Sequence, residues 1–261
     1  MDQVLAGPSE VRPTVGPAST FSISNEGQLH AAVKALYAES GGQLELPVDG
    51  FVIDVVRDDL LIEVQTANFA SIKRKLESLV TDHRLLLVFP IVYERWIIQL
   101  PEDPGATPKR RKSPVRGSPL AVFPELVSFP HLLRHENFSL DLLFTQEEEI
   151  RRRDARRGWR RHGWVTEERR LLGVVERRTF STTADFAVLL PANLEPSFTV
   201  SDLAAALGRS RALAQKMAYC LKKMGVIEVI GKRGRASLYR RVLDGAVGDA
   251  RAGVEEGHAA E

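Results

Sequence analysis

Three short runs of strand-type residues follow one another almost without interruption: QLELPV (43–48), FVIDVV (51–56) and LLIEVQ (60–65). Such a meander has little freedom, because the turns between the runs set the pairing register. Asp49-Gly50 is a pair preferred in a two-residue type I′ hairpin turn, which needs positive φ at both central residues. That turn makes opposed positions add to 99, so Val48 faces Phe51, Leu46 faces Ile53 and Glu45 faces Asp54. A two-residue turn at Asp58-Asp59 makes them add to 117, so Val55 faces Ile62, Ile53 faces Val64 and Asp54 faces Glu63. A slip of one residue would invert a strand and set Asp54 against an aliphatic partner.

These registers place Glu45, Asp54 and Glu63 in one row on one face, with Gln65 two residues beyond Glu63. Leu46, Ile53 and Val64 are left for the opposite face. Adjacent strands lie about 4.8 Å apart, and like charges directly opposed on a sheet are destabilising. Such a row calls for a cation, a shared proton or deep water. Oxygen ligands at this spacing suit Mg²⁺, which takes one or two carboxylates and keeps several waters. The plainer reading is the wet side of a half-exposed sheet. Against it, Asp54 lies between Ile53 and Val55, in the most apolar stretch of the region, and strands usually avoid Asp.

GQLHAAVKALYAE (27–39) has Leu29, Val33, Leu36 and Tyr37 at helical spacing and ends at Gly41-Gly42. The third run leads into a second helix, TANFASIKRKLESLV, with Phe69, Ile72, Leu76 and Leu79 as its buried stripe. RLLLVFPI (84–91) is a continuous apolar run of the kind buried on both faces. The expected fold class is therefore α/β, with the order αβββαβ.

This stretch, over about residues 24–91, resembles the core of the PD-(D/E)xK nuclease superfamily, a restriction-endonuclease-like mixed sheet. The residues that carry the resemblance are Asp54 in FVIDVV and Glu63-Val64-Gln65 in LLIEVQT. The resemblance implies a phosphodiester hydrolase dependent on Mg²⁺ or Mn²⁺. Asp54 and Glu63, with Glu45, would hold the metal, and the Val64 carbonyl would contact it. Family members often carry an acid on the first helix, for which Glu26 stands before Glu39. Gln65 replaces the usual lysine. Some restriction endonucleases of the superfamily carry Gln there, and in other members the lysine has moved to the following helix, where Lys73 and Lys75 stand. Gln65 would position a water, and Lys73 or Lys75 would offset charge on phosphorus. His30 and His83, each near a helix end, read as structural.

The C-terminal third follows another pattern. TADFAVLLPANL is a short helix. FTVSDLAAALG (198–208) has Thr199 or Ser201 before an apolar helix, and SRALAQKMAYCLKKMG (210–225) is a second helix. VIEVIGKRGRASLYRRVL supplies two strand-like runs about a basic turn. Residues 183–243 thereby resemble winged helix-turn-helix domains. The resemblance implies DNA as partner, with Arg209, Ser210, Arg211, Gln215 and Lys216 facing the major groove and Lys232, Arg233 and Arg235 on the wing reaching phosphate. A winged helix used only for protein contact is the alternative.

Charge bears on the same question. The chain has 36 Lys+Arg and 34 Asp+Glu, a net of +2, but the signs are segregated. An arginine-dense block at 151–178 contains only Asp154, Glu167, Glu168 and Glu176 as acids, whereas the tail at 244–261 is acidic and reads as disordered. A basic centre suits a polyanionic partner, or equally a solvated surface. Residues 1–22 read as a flexible lead-in without a secretory signal, 23–100 as the nuclease-like core and 101–182 as a basic connection. Within that connection, Thr145 and the acids after it suggest a helix start, and 169–180 suggests a strand. Trp159 and Trp164 could stack on bases or fill a local core. The single cysteine, Cys220, excludes a disulfide framework within the chain. No apolar run is long enough to cross a bilayer, so a cytoplasmic protein is expected. The expected function is a DNA-binding, Mg²⁺-dependent nuclease, or a non-catalytic DNA-binding regulator with a degenerate nuclease fold. A homodimer is the arrangement that double-strand cutting would favour.

Overall fold

The computed structural model describes residues 27–39, 41–103, 105–154 and 163–242. The expected lead-in 1–22, Glu26, Trp159 and the tail at 244–261 lie outside them. The chain is a mixed α/β protein built on a large mixed sheet with several helices.

The meander forms as its turns require. β1 (Gln43–Val48) pairs antiparallel with β2 (Phe51–Arg57), and Val48 faces Phe51 while Leu46 faces Ile53. Asp49 (φ 47°) and Gly50 (φ 79°) both take the left-handed backbone that a type I′ turn needs. β2 pairs with β3 (Leu60–Val64) through Val55↔Ile62, Val56↔Leu61 and Arg57↔Leu60.

After β3, the expected second helix is shorter and in two parts: a 3₁₀ turn at Phe69–Ile72, then α2 (Lys73–Leu79). β4 (Arg84–Gln99) lies parallel to β3 and runs well past the expected end at 91. It pairs parallel with β6 (Phe138–Arg153), and β6 pairs antiparallel with β7 (Trp164–Phe180). A short strand, β5 (Lys109–Lys112), adds to the far end of β4, and a short helix, α3 (Phe123–Leu126), comes before β6 in the chain. Residues 101–182 are thus not a connection beside the core, because they supply three strands of the same sheet.

The helix expected after Thr145 is also corrected, since 145–153 is the second half of β6. Its acids fall on alternate faces: Glu147 and Glu149 are buried, whereas Glu148 is half-buried. Flanked by β4 and β7, the segment gains ladder hydrogen bonds on both edges, which outweigh its local helical signal.

Helix α1 (Gln28–Ala38) covers one sheet face. Its Leu29, Val33 and Tyr37 pack with Val55, Ile62, Val64, Leu86, Val88 and Leu143. The other face carries the larger core, with Ile53, Leu61, Leu76, Leu79, Leu85, Leu87 and Phe89. Phe69 stacks on Phe129 at 5.5 Å and meets the edge of Phe89 at 5.2 Å. The apolar run in β4 is explained by this division, as Leu85, Leu87 and Phe89 face one layer and Leu86 and Val88 the other.

The C-terminal unit follows β7: a 3₁₀ turn at Ala184–Leu189, β8 (Ser197–Phe198), α4 (Val200–Leu207), α5 (Arg211–Met224), β9 (Ile227–Arg233) and β10 (Ala236–Arg241). The strands form a separate sheet in the order β8-β10-β9. Thr199 and Asp202 close a capping box at the start of α4, and Ser210 caps α5. Met217, Cys220, Leu221 and Met224 join the larger core beside Phe123 and Leu126. Cys220 is buried there, which pushes its thiol pKa up to about 12. Among the described residues, no helix is long and apolar enough to cross a membrane.

Candidate active site between two splayed strands

The β2–β3 ladder stops at Val55↔Ile62. Beyond it the two strands part, and side chains replace main-chain partners. The Val64 N–H donates to Asp54 Oδ2 at 2.8 Å, and the Asp54 N–H donates to Glu63 Oε1 at 3.3 Å. Across β1 the backbone is also irregular, with Glu45 at φ 56°. The expected single row on one face therefore does not form. Ile53 packs in the larger core and Val64 in the α1 core, so residues expected on one face lie on opposite faces. The two carboxylates instead meet through main-chain amides in the gap between the strands.

Helix α1 reaches this gap from one side. His30 Nε2 donates to the Val64 carbonyl at 2.6 Å and lies 3.4 Å from Asp54 Oδ2. One turn later, Lys34 is 2.8 Å from Glu45 Oε1 and 3.9 Å from Asp54 Oδ1. Helix α2 reaches it from the other side, where Lys75 pairs with Glu63 and also donates to the Val52 carbonyl. The site thus joins Asp54, Glu63, Glu45, Lys75 and the Val64 carbonyl. It also includes His30, which the sequence read as structural, and Lys34, which it did not mark. The available signal was spacing: positions 30 and 34 share the α1 face that packs on β2 and β3.

Two expected members lie elsewhere. Gln65 turns its amide to the carbonyls of Ala67 and Asn68 and to Ser71 Oγ, bracing the loop before α2. Lys73 faces solvent and pairs with Glu77 at 3.7 Å. His83 pairs with Asp49 at 2.6 Å, away from the gap.

The two acids are held in different states. Burial pushes Asp54 up, but hydrogen bonds from His30 and Val64, with the charges of His30 and Lys34, outweigh it and hold the carboxyl below its usual range. Burial and the neighbouring Asp54 charge push Glu63, 4% exposed, above its usual range, and Lys75 only partly offsets this. Asp54 is the ready anion, and Glu63 keeps a proton more easily.

The donors suit a hard or borderline divalent ion. The oxygens at hand are the Asp54 and Glu63 carboxylates and the Val64 carbonyl, while His30 Nε2 spends its proton on that carbonyl and is not a ligand in this arrangement. Among the described residues, no group of three or more His, Cys, Asp or Glu side chains is placed to hold a metal. A resident Mg²⁺ or Mn²⁺ would complete its shell with water, as Mg²⁺ commonly does.

The sites expected to meet DNA lie on the C-terminal unit. Arg209, Arg211, Gln215 and Lys216 are exposed at the start of α5, where Ser210 is the cap. Lys232 and Arg235 are exposed on the β9–β10 hairpin. Arg233 is committed inside the unit: it pairs with Asp202 at 2.9 Å and donates to the Ser197 carbonyl. It therefore ties the hairpin to α4.

The family model described as "Domain of unknown function (DUF8091)" matches residues 27–181, ending where β7 ends. An "Uncharacterized protein" of Treponema pallidum (strain Nichols) is 30% identical over 223 residues, covering 85% of this chain and 88% of its own. No solved structure gives a significant match. The family match spans the large sheet with its splayed strands and takes in more than half of the sequence, so the chain belongs to the DUF8091 family.

Proposed function

We propose that this protein binds DNA and hydrolyses its phosphodiester bonds with a divalent ion, using a nuclease-like core joined to a winged-helix unit. The observation that carries the reading is the meeting of the Asp54 and Glu63 carboxylates and the Val64 carbonyl at the β2–β3 gap, with Lys75 on Glu63. Asp54, Glu63 and the Val64 carbonyl would hold the ion, which would polarise a phosphate and lower the pKa of a bound water. Asp54 is kept ionised for this by His30 and Lys34. Lys75 comes from the helix after the motif, so it supplies the positive charge that Gln65 lacks. The order β8-α4-α5-β9-β10, with an exposed basic start to α5, supports the winged-helix assignment.

A second reading rests on Glu63 and Gln65. Glu63 is satisfied by Lys75 and a main-chain amide, and Gln65 is turned to its own loop. On this reading the nuclease fold is degenerate, and the protein only binds DNA.

Plasmid nicking with Mg²⁺ or Mn²⁺, paired with calorimetric Mn²⁺ titration, separates the two. Under the hydrolytic reading, wild type nicks, Asp54→Asn abolishes nicking and His30→Ala weakens Mn²⁺ binding. Nicking that survives in Asp54→Asn/Glu63→Gln, or a wild type that neither nicks nor binds Mn²⁺, overturns it. DNA binding without either activity establishes the second reading.

A further inference from the structure

Strand pairing assembles a second charged feature at the far end of the large sheet. Directly paired residues share a face. Ile97 pairs with Arg111 and with Glu149, and Gln99 pairs with Lys109 and with Arg151. Arg95 pairs with Glu147, Glu149 with Arg169 and Arg151 with Thr166. Alternation along β6 from Leu143, which packs in the α1 core, puts Glu147, Glu149 and Arg151 on the α1 side. Arg95, Lys109, Arg111, Arg151 and Arg169 therefore line one face, the face that α1 covers only at its near end.

The acids on this face do not neutralise it. Glu149 is buried between Arg95 and Arg151, each at 2.8 Å, and Glu147 lies fully buried beside Arg95. Glu167, at a β7 bulge, pairs with Arg152. Lys109, Arg111 and Arg169 are exposed, and among the described residues none of them makes an ion pair. On the other face of β5, Arg110 and Lys112 are spent on Glu148, Glu94 and the Trp96 ring.

This face opens onto the candidate active site. A cleft of about 510 Å³ is lined on one side by Gly27 to His30 with Thr66, and on the other by Thr166 to Arg169. His30 and Arg169 thus wall the same cleft. Along β4, Val88 to Ile97 spans roughly 30 Å at about 3.3 Å per residue, close to one turn of duplex at about 34–36 Å.

Resting on the reading of the chain as a DNA binder, we infer that the α1-side face of β4, β5, β6 and β7 is a phosphate track, separate from the winged-helix surface, that carries duplex DNA from Lys109 and Arg111 through Arg169 to the cleft at His30. Its role is positional: it contacts phosphates and reads no bases. Lys109 and Arg111 are the diagnostic residues, because among the described residues neither is held in an ion pair.

The test is fluorescence anisotropy of the full chain with a labelled duplex of about 30 bp across a KCl series. Each lost phosphate contact lowers the slope of log K against log salt by about 0.9. Lys109→Glu/Arg111→Glu is expected to weaken binding about 10- to 100-fold and to flatten the slope by about two, with an unchanged circular dichroism melt. Lys109→Gln/Arg111→Gln should give the same slope change with a smaller loss. Arg211→Ala/Lys216→Ala tests the winged-helix surface in parallel. Wild-type affinity and slope in both Lys109/Arg111 variants overturn the track, while salt-sensitive binding by wild type leaves the DNA reading standing. Wild type with no salt-sensitive binding overturns both. Competition by poly-glutamate as strong as by duplex at equal charge also overturns the track.

Discussion

Glu149 offers the sharpest test of how the far end of the sheet is held together. Its carboxylate is 1% exposed and takes Arg95 Nη1 at 2.8 Å, Arg151 Nε at 2.8 Å and the Thr166 hydroxyl at 2.6 Å. Three strands, β4, β6 and β7, are tied at this one group. Burial pushes its pKa up, but the hydrogen bonds from Arg151 and Thr166 and the charges of Arg151 and Arg95 pull it down to about 2. Glu149→Gln keeps the shape and removes the charge, leaving two guanidinium groups without their shared anion. Breaking a buried pair in this way costs about 3–5 kcal/mol. Urea unfolding at pH 7 measures the loss. The pH dependence gives an independent check. A depressed carboxyl contributes stability that is complete above its unfolded pKa and is lost as pH falls toward the folded one. The wild-type advantage over Glu149→Gln should therefore be level above about pH 5 and shrink by about 3 kcal/mol toward pH 2. A loss under about 1 kcal/mol at neutral pH, or an advantage that does not change with pH, would refute the ion-pair account.

Two further substitutions test other parts of the fold. A Cβ at Gly117 would lie 2.3 Å from the Val92 carbonyl oxygen and 2.5 Å from Ile91 Cγ2, and backbone cannot yield as a side chain can. Gly117→Ala is expected to lose about 1–3 kcal/mol, read as a lower melting temperature; an unchanged melt contradicts the close approach. Tyr37 donates to the buried Asp141 at 2.7 Å, so Tyr37→Phe should cost about 1–3 kcal/mol in urea unfolding. Burial and the Asp141 charge push the Tyr37 phenol above its usual 10, so its contribution holds to about pH 9 and falls as pH climbs through 10. A Tyr37→Phe difference that fades below pH 8 would rule this out.

Local chemistry set what could be read without coordinates. Asp49-Gly50 dictates positive φ at both positions, and from that the β1–β2 register follows by counting. The Thr199 or Ser201 cap and the apolar spacing along 198–225 mark both helices of the C-terminal unit, because caps and periodicity act within one or two turns. The β2–β3 register followed in the same way for its first three pairs and failed at Asp54. There the carboxylate takes the Val64 amide, a choice between side chain and backbone that alternation does not contain.

The remaining features depend on partners distant in sequence. The acids after Thr145 look like a helix start until β4 and β7 lie on both sides of them, and Glu149 is acceptable inside a sheet only because Arg95 and Arg151 arrive there. His30 looks like any helix residue until α1 packs over the gap and sets its imidazole against Asp54 and Val64. The candidate site is therefore half local and half tertiary. Turn geometry brings residues 54 and 63 to neighbouring strands, whereas packing from two opposite layers decides which groups neutralise them and which carboxyl stays ionised.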